Sequence, residues 1–457
     1  MRRGLRFGIF IFLFLYGGRK VGAQMLPEAF TGDPELRCAA VSISVKRVSD
    51  GVEVYAFRPE TALIPASLLK TLTTAVALHE YGPDFTYVTT LSHTGEIRGG
   101  VLYGDILIRA GGDPTIDSKY FPKSSFIAKA TEAVAGKGIT RVKGNILVLE
   151  KELPRVPYTW IWEDISNYYG ALAFPFNYKD NTYHIYLKSG KAGSRTDILS
   201  VNPGIPGVTF RNEVRASARG GDNACIVGGP FAEILLMEGS IPANRKKFRI
   251  GGAMPHPAAV FREEFEAVMR KRGIVVEHKI FKSPDTTLML THRSPSLRDI
   301  VFHTNKFSVN LYAEALGKLI GEEEEFMPVK TVMDSMGIDV TGLHIADGSG
   351  LSRRSAVPAR CFTDLMLRMH GDSAFRNSLP VAGRDYALER FVKGRTLLLN
   401  NVRAKTGSLS GVRALSGYMK NRSGEEMAFT VIVNNYTASF DKVASAIGSF
   451  LEFLYLQ

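Results

Sequence analysis

Cysteine is scarce in this chain. Cys38, Cys225 and Cys361 are the only three among 457 residues, they stand far apart, and no C-x-x-C occurs. That count excludes a disulfide framework and leaves room for one disulfide at most, with no pairing favoured. The nine histidines form no H-E-x-x-H and no other metal-ligand spacing, so metal-assisted chemistry is disfavoured and no cofactor is called for. No basic segment interleaved with aromatics points to a nucleic-acid partner. Internal repeats and low-complexity tracts are absent too. The apolar run at residues 7–16 is shorter than the roughly 20 residues that cross a bilayer.

That run follows a basic start, Met1-Arg2-Arg3-Gly4-Leu5-Arg6, and precedes the small-residue string Val21-Gly22-Ala23. The pattern predicts a cleaved signal peptide over residues 1–23. Arg19 and Lys20 are unusual so close to a cleavage site and keep an uncleaved anchor as the alternative. Cleavage removes Arg2, Arg3, Arg6, Arg19 and Lys20, lowering the formal charge from +12 to +7. A moderately basic mature protein suits polyanionic surroundings or a plain soluble surface. With 45% hydrophobic residues the chain can fill a large core and divides into two or three units.

Three short strings carry the chemistry: Ser67-Leu68-Leu69-Lys70, Ser308-Val309-Asn310 and Lys405-Thr406-Gly407. Each alone is cheap; their order is not. An apolar helix pattern from Ser67 to about Gly82 places Ser67 in a first turn, and residues three apart share a helix face, so the Lys70 amine falls beside the Ser67 hydroxyl. A serine hydroxyl attacks only when a base takes its proton, and an amine is a base only when neutral. A second buried cation such as Lys405 is one way to depress the Lys70 pKa. Lys405 reads as a strand residue, with Gly407 where a ligand or backbone approaches closely. Ser308 and Asn310 lie between two helical stretches, where a plain helix cap is the competing reading.

Residues 41–48 and 52–57 read as a hairpin around Ser49-Asp50-Gly51. Strands at 415–420 and 427–433 and a helix over 440–455 close the chain, and that amphipathic helix is expected to pack on the sheet rather than on a membrane. More than two hundred residues separate Lys70 from Ser308, far more than a loop needs. Within them short strands are expected at 101–108, 142–149, 183–187 and 232–237, with helices near 125–135 and 257–271.

The three strings together resemble the low-molecular-mass class C penicillin-binding proteins, the D-alanyl-D-alanine carboxypeptidase/endopeptidase family. Further strings match: Gly104-Asp105-Ile106-Leu107-Ile108 with Gly111-Gly112-Asp113-Pro114-Thr115, Asp347-Gly348-Ser349-Gly350-Leu351-Ser352-Arg353, and Leu379-Pro380-Val381-Ala382-Gly383. The chain departs from the pattern at Val309, where many relatives carry aspartate, and at Asp385-Tyr386-Ala387-Leu388. The resemblance implies an α/β (α+β) fold: a transpeptidase/β-lactamase-like domain with an antiparallel sheet flanked by helices, split by nested, mostly β insertions. Residues 24–85 with 286–457 would form the catalytic unit, and 86–285 one or two inserted domains.

The resemblance also assigns roles. Ser67 is the nucleophile, Lys70 the base, Ser308 the proton relay and Asn310 the orienting amide. Lys405, Thr406 and Gly407 belong to the strand that holds the terminal D-alanine carboxylate, and the N–H groups of Ser67 and Ser408 form the oxyanion hole. Asp164 and Tyr169, with Arg353, would read a diaminopimelate side chain, the acid meeting its ammonium and the guanidinium its carboxylate. The implied partners are peptidoglycan stem peptides and β-lactams, in the periplasm. Two alternatives stay open: a serine β-lactamase, suggested by Glu163 and Asn167 in E-x-x-x-N spacing but opposed by motif order, and a non-catalytic wall-binding protein.

Overall fold

The computed structural model describes residues 27–150, 156–281, 285–321 and 327–457; the expected signal segment, residues 1–23, lies outside the described residues. Strands β1 (Ala40–Arg47) and β2 (Glu53–Phe57) form the expected antiparallel hairpin, with Ile43 opposite Phe57 and Val45 opposite Tyr55. Its turn closes where the Gly51 N–H, at φ 72°, reaches the Arg47 carbonyl at 2.9 Å. Three C-terminal strands, β3 (Val402–Leu409), β4 (Val412–Lys420) and β5 (Glu426–Asn434), complete a five-stranded antiparallel sheet in the order β2-β1-β5-β4-β3.

Both faces of this sheet are covered, which is why β5 reads Met-Ala-Phe-Thr-Val-Ile-Val almost without polar interruption. The covering helices are α1 (Leu69–Tyr81), α2 (Leu297–Lys306), α3 (Asn310–Ile320), α4 (Met327–Ser335), α5 (Ala359–Met369), α6 (Ser373–Ser378) and α7 (Phe440–Leu456). Phe429, Val431 and Val433 share a core with Val443, Ile447, Phe450 and Leu454 of α7. The alternate residues Ala428 and Ile432 pack with Leu72 and Val76 of α1, Leu311 of α3 and Phe362 of α5. Alternation along one strand therefore sends side chains into two cores. The last helix packs on the sheet as its amphipathic pattern predicts, and Ser439 caps it by accepting the Lys442 N–H. Among the described residues no helix is long and apolar enough to cross a membrane.

Between α1 and α2 the chain builds several further small sheets and the helices Phe126–Gly136 and Pro257–Lys271. Their apolar residues, from Leu91 to Val276, form a core of their own that includes the stacked rings of Phe126 and Phe261. Two strands expected to be continuous are each divided: Val101–Tyr103 from Ile106–Arg109, and Arg141–Val142 from Ile146–Leu149. A Cβ at Gly104 would lie 2.0 Å from the Thr94 carbonyl oxygen, and one at Gly144 would lie 2.2 Å from that of Gly104. The chain crosses from one sheet to the next at these two glycines, because only glycine tolerates such close backbone approach. Strand Thr286–Arg293 returns to pair antiparallel with Val88–Thr94.

Candidate active site

The Ser67 turn is a short 3-10 segment, Ala66–Leu68, that runs directly into α1. Residues 69–78 of that helix are all buried, so Lys70 enters the interior and its amine turns back along the helix toward Ser67. Lys70 Nζ lies 2.9 Å from Ser67 Oγ and donates to the Ser349 carbonyl at 2.7 Å. Complete burial brings the Lys70 pKa down to about 7, against the opposing pull of the Asp347 and Glu314 carboxylates. The amine thus reaches the neutral form near physiological pH. The effect of Lys405 anticipated from the sequence falls elsewhere: burial first, and then repulsion from Lys70, hold the Lys405 amine well below its ordinary value.

Lys405 stands on β3 at the sheet edge, with Nζ 2.9 Å from Ser308 Oγ and 2.9 Å from the Thr406 carbonyl oxygen. Ser308 sits between α2 and α3 in a left-handed conformation, φ 57°. It does not cap α3; Val309 occupies that position without a side-chain cap bond. The strained backbone instead aims the Ser308 hydroxyl at Lys405. Asn310, the first residue of α3, donates through Nδ2 to the Tyr169 carbonyl at 2.7 Å.

Gly407 is where β3 meets the Ser67 turn, since a Cβ there would lie 2.5 Å from the Pro65 carbonyl oxygen. Strand alternation gives the outer edge of β3 its N–H and C=O groups from residues 402, 404, 406 and 408. The first half of that edge is occupied: Ala382 N–H donates to the Val402 carbonyl and Ala404 N–H to the Pro380 carbonyl, both at 2.9 Å. Half-buried Thr406 and exposed Ser408 continue the same edge past this cover.

The acidic–aromatic segment is also at hand. Asp164 lies in the short helix Trp162–Ile165 and Tyr169 in the turn Tyr168–Gly170. Burial raises the Asp164 pKa, while a hydrogen bond from Tyr169 and the charge of Arg353 act in the opposite direction. Arg353 Nη1 also donates to the Ser410 carbonyl at 3.0 Å, just beyond β3. The Tyr169 hydroxyl pKa is raised, by burial and then by Asp164. Asn167 supports the turn by bonding the main-chain carbonyl of Glu163 and the Ile226 N–H. The E-x-x-x-N pair is therefore joined through backbone, with the Glu163 side chain exposed.

Six of the residues singled out from the sequence thus fall into three bonded groups: Ser67 with Lys70, Ser308 with Lys405, and Asn310 with the main chain of Tyr169. Ser349, Asp347, Glu314 and Trp160 were not singled out, though Asp347 and Ser349 lie in a matched string. Asp347 accepts from Trp160 Nε1 at 2.8 Å, and Glu314 from the Gly348 N–H at 3.2 Å. All three cysteines are free thiols: Cys38 exposed, Cys225 half-buried, Cys361 buried. Among the described residues no group of His, Cys, Asp or Glu could hold a metal ion.

A D-alanyl-D-alanine carboxypeptidase of Actinomadura sp. (strain R39) is 28% identical over 446 residues, covering 90% of this chain and 80% of that protein. The D-alanyl-D-alanine carboxypeptidase DacB of Haemophilus influenzae is 24% identical over 444 residues, covering 91% and 87%. The crystal structure of penicillin binding protein 4 from H. influenzae superposes with a TM-score of 0.75 at 22% identity, covering 92% of this chain and 97% of that one, and so shares the fold. The same protein complexed with a β-lactam gives 0.75 again, over 94% and 100%. A family model described as D-Ala-D-Ala carboxypeptidase 3 (S13) matches residues 24–451, and the chain belongs to that family of serine peptidases.

Proposed function

We propose that Ser67 is the nucleophile of this DD-peptidase and that neutral Lys70 is its base. The observation that carries the assignment is the 2.9 Å contact between Lys70 Nζ and Ser67 Oγ, made by an amine with no exposure to solvent. Ser67 Oγ attacks the carbonyl carbon between the two D-alanines of a peptidoglycan stem peptide as its proton passes to Lys70. The N–H groups of Ser67 and Ser408 receive the oxyanion. Ser308, fed by Lys405, returns a proton to the departing amine; D-alanine leaves, and water then hydrolyses the ester on Ser67. The terminal carboxylate lies against Lys405, Thr406 and Ser408, and its negative charge restores the ammonium form of Lys405. Asn310 orients the acyl-side amide.

A β-lactam offers the same amide beside a carboxylate and acylates the same serine. Asp164, Tyr169 and Arg353 form the pocket for the diaminopimelate side chain. The catalytic unit comprises residues 24–85 with 286–457, and residues 86–285 are inserted; strand Thr286–Arg293 of the former pairs with Val88–Thr94 of the latter. Export to the periplasm on a cleaved signal peptide brings the enzyme to its substrate.

The deciding experiment incubates the mature protein with purified cross-linked muropeptides and follows products by mass spectrometry, with Ser67→Ala alongside. Loss of terminal D-alanine identifies the carboxypeptidase, and opening of cross-links the endopeptidase. Products that persist in Ser67→Ala would overturn the assignment.

A further inference from the structure

Two carboxylates at this site take no part in the steps above, and both are almost wholly withdrawn from water: Asp347 is 0% and Glu314 3% exposed. Buried carboxylates are retained where they are bonded and where their charge is used. Asp347 accepts from Trp160 Nε1 at 2.8 Å, the Gly350 N–H at 2.8 Å and the Ser352 N–H at 2.7 Å. Glu314, on α3, accepts the Gly348 N–H at 3.2 Å, and Thr73 of α1 donates to the Gly348 carbonyl at 2.7 Å. The loop so held is wedged tightly. A Cβ at Gly348 would lie 2.6 Å from the Ala313 carbonyl oxygen, and one at Gly350 (φ 78°) would lie 1.9 Å from that of Ala66. Between those glycines the Ser349 carbonyl accepts from Lys70 Nζ.

We infer that Asp347 and Glu314 are positioning residues for the Lys70 amine: they pin residues 347–352 so that the Ser349 carbonyl takes one Lys70 N–H and the lone pair is left facing Ser67 Oγ. This rests on the reading of Lys70 as the base. The arrangement also places two negative charges around a buried amine. The charged groups acting on Lys70 are Asp347 from the loop and Glu314 from α3, and Lys70 in turn acts on Lys405. Helices α2, α4, α5 and α6 also pack on α1, yet no charge from them is a cause of the Lys70 shift. Burial alone would favour the neutral amine, and each carboxylate draws it back toward the ammonium form. Removing either charge lowers the Lys70 pKa further, so the base becomes neutral at a lower pH.

The test measures the second-order rate of acylation by a fluorescent penicillin against pH for the full chain, Glu314→Gln and Asp347→Asn, with Ser67→Ala as blank. Expected is a rate reduced about tenfold or more at neutral pH, together with an acid limb displaced downward by about half a pH unit or more. Glu314→Gln decides the matter even where Asp347→Asn fails to fold, since glutamine keeps an acceptor for the Gly348 N–H. A Glu314→Gln profile that superimposes on wild type, or one that is slower with an unmoved limb, overturns the inference. Labelling of Ser67→Ala would instead overturn the reading of Ser67 on which it rests.

Discussion

The side chain of Asn310 and the main chain of Tyr169 are joined by a 2.7 Å hydrogen bond, so the helix of the second motif is tied to the turn of the acidic–aromatic segment. The bond uses an Nδ2 hydrogen and leaves Oδ1 of the amide available to a substrate N–H. Asn310→Ala removes both contacts. It is expected to slow penicillin acylation and muropeptide cleavage alike, each by about tenfold or more, read from fluorescent labelling and product release on the same preparation.

Asp164 lies in the short helix that precedes that turn and is bonded to the Tyr169 hydroxyl. Asp164→Ala should lower turnover of muropeptides bearing a free diaminopimelate amine about tenfold or more, as loss of a charge-assisted contact to a bound cation does. Penicillin acylation, which involves no such amine, should stay within about twofold. Equal losses on the two substrates would remove the pocket from the account.

With the Lys70 pKa at about 7, the role proposed for its neutral amine predicts that acylation rises with pH through neutrality. The stability consequence has the same sign. The folded-state pKa lies below the ordinary lysine value of 10.5, so between the two values the unfolded chain binds more protons and folding stability increases with pH. Lys70→Met should abolish acylation and reduce that rise, leaving the part that the buried Lys405 contributes. Chemical unfolding between roughly pH 7 and 10 measures it.

How much of this was legible beforehand differs residue by residue. Ser67 and Lys70 are three apart on a helix, so helical geometry alone brings them together. Lys405 and Ser308 stand 97 positions apart, and only their motif strings, not any local spacing, marked them as neighbours. The left-handed backbone at Ser308 left no trace in composition, because serine is not the residue that conformation ordinarily selects. Gly104 and Gly144 looked like strand interiors; what divides the strands there is a neighbouring backbone pressed against the missing side chain. Asp347 and Glu314 carry no such mark, because buried carboxylates are distinguished from surface ones by their surroundings, which sequence does not display.

Gly407→Ala tests the seam between β3 and the Ser67 turn. The added methyl would lie 2.5 Å from the Pro65 carbonyl oxygen, a backbone atom, so either the strand or the turn must shift. Acylation should fall about tenfold or more with the fold retained, measured by labelling rate beside the thermal melting curve.

The thiols offer a check on the fold itself. Burial pushes the Cys361 thiol up to about 12, so it should stay unreactive until the protein unfolds. A thiol reagent should modify Cys38 readily in the native state and Cys225 more slowly, and reach all three cysteines in denaturant. Native-state modification of Cys361 would contradict the packing of α5.

The outer edge of β3 also governs how molecules of this protein meet one another. An unpaired strand edge is a template for any passing strand, including that of a second copy. Here Pro380 and Ala382 take up the edge at residues 402 and 404, and only the stretch around Thr406 and Ser408 extends past them. That remnant offers a second copy fewer main-chain partners than the full length of β3 would. The segment that covers Val402 and Ala404 thereby also shortens the edge left open to a second copy.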